Sequence, residues 1–232
     1  MSDLEVQFAR GKASMKKGAI FDMDGLLLDT ERIWQEVWQE IASVRGVELG
    51  PGFARAISGT SGRKAAEVCA QYYRTDVETG DEIYHQSLRL GTEKLRVNVP
   101  RKPGSEEILS GLKKMGFRIA VASSSPMELI RSNLALAGLD SYEDVFVSGV
   151  GLPHGKPAPD IFLKAADEIG LEPQECYVFE DSFNGIRAGH AAGCASVMIP
   201  DLMRPDEEMR RLSVGIYPTL SEALRAIKEG EI

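Results

Sequence analysis

The sequence is poor in the features that mark membrane, secreted or nucleic-acid-binding chains. No apolar run approaches the ~18 residues needed to cross a bilayer, so neither a membrane span nor a membrane partner is expected. Cysteine is scarce: Cys69, Cys176 and Cys194 are odd in number, widely separated and without a Cys-x-x-Cys pair. His85, His154 and His190 are equally scattered, so no disulfide framework and no zinc spacing is present. Buried free thiols in a reducing, cytoplasmic setting are expected instead. Basic charge is in deficit, with 27 Lys and Arg against 35 Asp and Glu for a net charge of -8, which argues against the basic footprint of a nucleic-acid binder. No apolar stretch of signal-peptide length precedes Met15, and residues 1–15 show no clean periodicity; they are expected to be an N-terminal extension outside the fold.

What remains is ordinary globular material: 232 residues, 43% apolar and 27% charged, enough for one large domain or a domain with an insertion. Short apolar runs at 18–21, 117–122, 145–147, 176–179 and 195–199 read as buried strands. Between them lie helix-like segments of about 11 residues, among them Ser105 to Met115, Met127 to Ala137 ahead of Gly138, and Pro159 to Ile169 ahead of Gly170. That alternation predicts βαβ units and an α/β fold, a doubly wound, mainly parallel sheet of the Rossmann kind. Residues 31–98 break the rhythm. Ile33, Trp34, Val37, Trp38 and Ile41 follow helical spacing, as do Ala65, Val68, Cys69 and Tyr72, then Ile83, Tyr84, Ser87 and Leu88. A helical insertion over 30–99 is expected, between a core made of 16–29 and 100–232.

Acids cluster at the predicted strand ends. Asp22 and Asp24 follow the first strand, and in an extended chain residues two apart point to the same face, so both carboxylates can reach one cleft. The alternative is that Asp24-Gly25 only turns a hairpin between Ala19–Phe21 and Leu26–Leu28. Glu180-Asp181 repeats the arrangement after another strand, where Asp181 or Ser182 could equally serve as a helix N-cap. Two strand ends each carrying two acids form an oxygen-only set that suits Mg²⁺ with substrate phosphate. Ser123-Ser124-Ser125 brings hydroxyls to the same edge, unless it only caps the following helix. Lys156 lies in a loop with Pro153, Pro157 and Pro159; it is either solvated or held near the acids, where its charge could balance a phosphoryl group.

Together these stations resemble the haloacid dehalogenase-like superfamily, in the branch holding β-phosphoglucomutase and small sugar-phosphate phosphatases. The motifs are Phe21-Asp-Met-Asp-Gly-Leu-Leu-Leu-Asp-Thr30, Ser123 after Val121-Ala122, Lys156-Pro-Ala-Pro-Asp-Ile-Phe162 and Phe179-Glu-Asp-Ser-Phe-Asn-Gly-Ile186. The resemblance spans Lys16 to about Pro200 and implies a Rossmann-like core with a helical cap inserted after the first motif. It implies Asp22 as nucleophile, forming an aspartyl-phosphate, and Asp24 as general acid and then general base. It implies Mg²⁺ held by Asp22, the backbone carbonyl of Asp24, Glu180 and Asp181, with Ser123 and Lys156 on the transferring oxygens. Ser124, Trp34 and Arg63 are further candidates for substrate contact, the last in a cap loop, Gly59-Thr-Ser-Gly-Arg-Lys64, that would close over the core.

The resemblance leaves two reactions open: hydrolysis of a small phosphorylated metabolite, or a hexose-phosphate mutase reaction of the β-phosphoglucomutase type. The mutases present a cap histidine where counting from Asp29-Thr30 gives Trp34, and an arginine where this chain has Gly62 before Arg63. Both departures favour the phosphatase. A non-catalytic binding protein on the same fold is the third reading, disfavoured because every acid and Lys156 are present. A monomer or weak homodimer is expected.

Overall fold

The computed structural model describes residues 16–232 apart from 51, 58, 59, 61 and 202, so the expected extension over 1–15 lies outside the described residues. The chain divides into two compact units, one of residues up to Leu28 with Arg101–Ile232, the other Asp29–Pro100.

The larger unit is built on a six-stranded sheet in which every pairing is parallel. Its strands are β1 (Gly18–Phe21), β2 (Arg118–Ser123), β3 (Val145–Ser148), β4 (Cys176–Glu180), β5 (Ala195–Met198) and β6 (Gly215–Ile216), in the order β3-β2-β1-β4-β5-β6. β1 is buried throughout, as expected of a strand covered on both faces, where an unbroken apolar run replaces alternation. Phe21 stands opposite Val121 on one side and Phe179 on the other, so the carboxyl ends of β1, β2 and β4 lie side by side, β2 running on to Ser123 and β4 to Glu180. The strand order reverses between β1 and β4, the place where a doubly wound sheet opens a crevice at the carboxyl ends of its strands. One apolar cluster joins Ile20, Ala120, Val147 and Val178 to Phe162 and Ala166 of the helix Asp160–Glu168. Each fully buried large side chain there contributes roughly 1.5–3 kcal/mol.

The smaller unit is helical: α1 (Thr30–Val44), α2 (Phe53–Ile57), α3 (Gly62–Tyr73) and α4 (Val77–Val97). Asp76 caps α4, accepting from the Thr79 amide at 2.8 Å. Gly80 lets α3 and α4 approach: a Cβ there would stand 2.8 Å from the Ala70 nitrogen. The helical faces are turned slightly from the expected ones. Ala65, Ala66, Cys69, Ala70 and Tyr73 are the buried residues of α3, while Val68 and Tyr72 sit at its border, and Leu88 of α4 is exposed.

Helices α5 (Ser105–Lys114), α6 (Met127–Leu136), α7 (Asp160–Glu168), α8 (Phe183–Ala191), α9 (Glu207–Leu212) and α10 (Leu220–Glu229) flank the strands of the larger unit. The hairpin reading of Asp24-Gly25 does not hold. Both sides of β1 are taken by β2 and β4, so residues 26–28 form a loop closed by Gly25 N–H donating to the Leu28 carbonyl at 2.9 Å. All three cysteines are free and buried. Among the described residues no helix is long and apolar enough to cross a membrane.

Candidate active site

The rings of Phe21 and Phe179 stack 4.5 Å apart, and the Asp22 amide donates to the Phe179 carbonyl at 3.1 Å. The chain therefore leaves β1 while still fastened to β4, and Asp22 emerges beside Glu180, the last residue of that strand. Lys156 arrives at the same point from the loop after β3. Its ammonium donates to Asp22 Oδ1 at 2.5 Å, to Glu180 Oε1 at 2.7 Å and to the Ala122 carbonyl at 3.5 Å. The side chain is 9% exposed, with Nζ 4.9 Å from the centre of the buried Phe162 ring. Lys156 is thus not a solvated loop lysine; burial without these partners would be prohibitively unfavourable.

The second oxygen of Glu180, Oε2, accepts from the amide and the hydroxyl of Ser182, both at 2.9 Å. Ser182 is also the N-cap of α8, accepting from the Gly185 amide at 3.1 Å. The capping alternative is therefore real, but it falls on Ser182 and leaves both acids available to the crevice. Asp181 packs against Gly25, where a Cβ would lie 2.7 Å from Asp181 Oδ2. Gly25 has a φ of +84°, so position 25 suits glycine by backbone conformation as well as by space.

Asp24 turns toward the end of β2. Its Oδ2 accepts from Ser125 Oγ at 3.0 Å and from Ser123 Oγ at 3.3 Å, while the Ser125 amide donates to Ser123 Oγ at 3.1 Å. Ser123 is buried and Ser124 is exposed. Ser125 is a site residue that the sequence alone did not single out.

The cluster is short of positive charge. Burial pushes Asp22 up to about 7, with Glu180 and Asp24 adding to the rise and Lys156 opposing it. Burial also raises Asp181, reinforced by Glu180 and Asp22. Burial pulls Lys156 down, but Asp22 and Glu180 together outweigh it and hold the ammonium above its ordinary value. Buried oxygens with one cation among them are the environment a hard divalent ion relieves. Among the described residues no group of three acid, histidine or cysteine side chains is placed to hold a metal ion by itself. Mg²⁺ does not require one, since it takes one or two carboxylates and fills its octahedron with water and substrate phosphate. The donor set fits it.

Trp34 and Arg63 belong to the helical unit and have local partners there. The Trp34 ring occupies the space where a side chain on Gly91 would begin, which makes it a packing residue of α1 against α4. Arg63 is exposed and pairs with Glu67 at 3.1 Å. Of the loop Gly59 to Lys64, Gly59 and Ser61 lie outside the described residues, and Thr60 bonds back to the Ile57 carbonyl at 2.7 Å.

Comparison with known proteins gives concordant matches. The haloacid dehalogenase-like hydrolase family matches over residues 16–193. The phosphorylated carbohydrates phosphatase of Thermotoga maritima is 31% identical over 180 residues, 76% of this chain and 82% of its own. Fructose-1-phosphate phosphatase YqaB of Escherichia coli K12 is 32% identical over 182 residues, 78% of this chain and 94% of its own. The crystal structure of a HAD family hydrolase from Deinococcus radiodurans R1, with bound phosphate and sodium, superposes with a TM-score of 0.77 at 28% identity, covering 93% of this chain and 96% of that one.

Proposed function

The chain belongs to the haloacid dehalogenase-like hydrolase family and is a phosphoric monoester hydrolase, and we propose that it cleaves a small phosphorylated metabolite, a sugar phosphate or nucleotide-like monoester, through an aspartyl-phosphate on Asp22 with Mg²⁺ bound. The observation that carries this reading is the Lys156 ammonium set between Asp22 and Glu180 at the carboxyl edge of the strands, with Asp24 held two residues from Asp22.

Lys156 holds Oδ1 of Asp22 and fixes the carboxylate plane, so attack on phosphorus comes from the other oxygen. As the Asp22–phosphorus bond forms and the bond to the leaving oxygen breaks, Asp24 gives that oxygen a proton. Asp24 then takes a proton from water as the water oxygen bonds to phosphorus and Asp22 is released. Ser123 and Lys156 donate to the phosphoryl oxygens as their charge develops. Asp22, the carbonyl of Asp24, Glu180 and Asp181 would hold Mg²⁺, which when bound supplies a positive centre for the phosphoryl group. Relatives named for phosphorylated carbohydrates and fructose 1-phosphate support the sugar-phosphate class. We propose a cytoplasmic setting, supported by three free buried thiols, and a monomer or weak homodimer.

The test is phosphate release across a panel of sugar phosphates and nucleotides, with Mg²⁺ and with chelator, for the native protein and Asp22→Asn. Mg²⁺-dependent turnover abolished in Asp22→Asn is expected. Full activity in chelator, or steady turnover by the variant, would overturn the reading.

A further inference from the structure

We infer that Ser125 is a positioning residue for the acid–base aspartate, holding one carboxyl oxygen of Asp24 so that the proton is exchanged through the other. This rests on the role of Asp24 proposed above. The plain alternative for a serine just before a helix is that it caps that helix. Here the N-cap of α6 is Pro126, and no side chain makes a cap hydrogen bond to it. The Ser125 hydroxyl instead donates to Asp24 Oδ2 at 3.0 Å.

Its backbone is fixed from the other side. The Ser148 hydroxyl, at the end of β3, donates to the Ser125 carbonyl at 2.7 Å, and the Val150 amide donates to Ser148 Oγ at 3.1 Å. Ser125 is therefore a donor tied to the sheet edge. Ser123 shares Oδ2 of Asp24 at 3.3 Å, but its hydroxyl is the one required by the transferring phosphoryl group. Once Ser123 turns to substrate, Ser125 is the serine that keeps the Asp24 carboxyl plane in place.

The experiment compares Ser125→Ala, Ser125→Thr and Asp24→Asn with two substrates: a sugar phosphate turned over in the panel, and p-nitrophenyl phosphate, whose leaving group departs without a proton. A positioning role predicts that Ser125→Ala lowers kcat/KM about tenfold for the sugar phosphate, the scale of one charge-assisted hydrogen bond. For p-nitrophenyl phosphate the loss should stay within about threefold, KM should be unchanged, and Ser125→Thr should restore the sugar-phosphate rate. Ser125→Cys, nearly isosteric with a weaker donor, should fall between and serves if the alanine variant folds poorly. Equal losses on both substrates, or no loss, would overturn the inference while Asp24→Asn shows the leaving-group selectivity. If Asp24→Asn lacks that selectivity, it is the acid role of Asp24 that fails.

Discussion

The carboxyl group of Glu180 fills the space in which a side chain on Gly185 would begin. Gly185 lies in the first turn of α8, so glycine is required there for room and not for backbone conformation. Glu180 cannot swing aside without loss, because Oε1 is bound to Lys156 and Oε2 to Ser182. Gly185→Ala improves helix propensity by about 0.8–1 kcal/mol, yet it displaces the carboxylate. Glu180 is one of the residues proposed to hold Mg²⁺, so activity should fall by at least the ~tenfold that loss of even an outer partner of a metal site costs, and the Mg²⁺ needed for half-maximal rate should rise. A Mg²⁺ titration of kcat checks this, and an unchanged curve would show that the position of Glu180 is immaterial.

Lys156 gives the second prediction. It is the ammonium between two buried carboxylates, so Lys156→Met leaves Asp22 and Glu180 facing each other without a cation. Breaking a buried pair from one side costs about 3–5 kcal/mol, or a drop of ~10 °C in a chain of this length. Turnover should vanish while the variant remains folded at a lower melting temperature. Added Mg²⁺ should raise the melting temperature of the variant more than that of the native protein. Equal shifts by calorimetry would mean that the Lys156 charge does not govern metal binding, and no shift in either protein would mean that no metal enters among these acids.

Glu143 carries the third, outside the site. Both of its carboxyl oxygens are buried without a hydrogen-bond partner. Burial raises the group from 4.5 to about 7; its own amide and that of Tyr142 offset this only partly without proper bond geometry, Asp140 adds to it, and Lys113 opposes it. The Lys113 ammonium is itself engaged by Asp144 at 2.6 Å. A folded pKa above the unfolded one means the native state binds the proton more tightly, so the fold is most stable below about pH 4.5 in this respect and loses that increment as pH climbs through 7. Discounted for solvent screening, the loss is about 1–2 kcal/mol. Denaturant unfolding of Glu143→Gln should match the native protein at pH 5 and exceed it by that amount at pH 8. Parallel pH curves for the two proteins would exclude the effect.

The stations of the site were legible in the sequence because acids at the ends of apolar runs are costly to bury unless something holds them, and strand ends are where such runs stop. Asp22 and Glu180 could therefore be placed at one edge from the sequence, whereas Lys156 reads equally as a solvated loop lysine and is placed there only by the family resemblance. Ser125 is in view as part of Ser123-Ser124-Ser125, but its contact with Asp24 is not, because that depends on the curve of the chain after β2 and on the tie from Ser148, neither of which leaves a periodic signal. The hairpin alternative at Asp24-Gly25 could be discarded only once β2 and β4 were seen to occupy both edges of β1. β6 is two residues long and too short to read. α10 is not among the helices expected from the sequence, although its signals are there: Thr219 accepts from the Glu222 amide at 3.2 Å, Leu220, Ala223, Leu224 and Ile227 are buried, and Gly230 closes it with a φ of 71°. The rotated face of α3 has a different cause, since small alanines and not the larger Val68 and Tyr72 are what a close neighbouring helix admits.

The last prediction separates hydrolysis from phosphoryl transfer within the sugar. A mutase keeps water from its aspartyl-phosphate and returns the phosphoryl group to a second hydroxyl of the same sugar. The resemblance to β-phosphoglucomutases places a proton-exchanging cap histidine where this chain has Trp34, and the indole N–H of tryptophan donates a hydrogen bond but exchanges no proton at neutral pH. The Trp34 ring is moreover packed on Gly91, so it is a structural element of the helical unit. Without a proton-exchanging histidine at position 34, hydrolysis is the expected outcome. Given β-glucose 1-phosphate, Mg²⁺ and a trace of the bisphosphate, the protein should release inorganic phosphate faster than it forms glucose 6-phosphate, followed by phosphate assay and by coupled dehydrogenase in parallel. Glucose 6-phosphate appearing first would reverse the assignment, and Trp34→His would then be expected to speed that reaction further. If hydrolysis leads, Trp34→His should leave phosphate release within about threefold of native, because packing on Gly91 tolerates the smaller ring at a stability cost and the acid–base chemistry remains with Asp24.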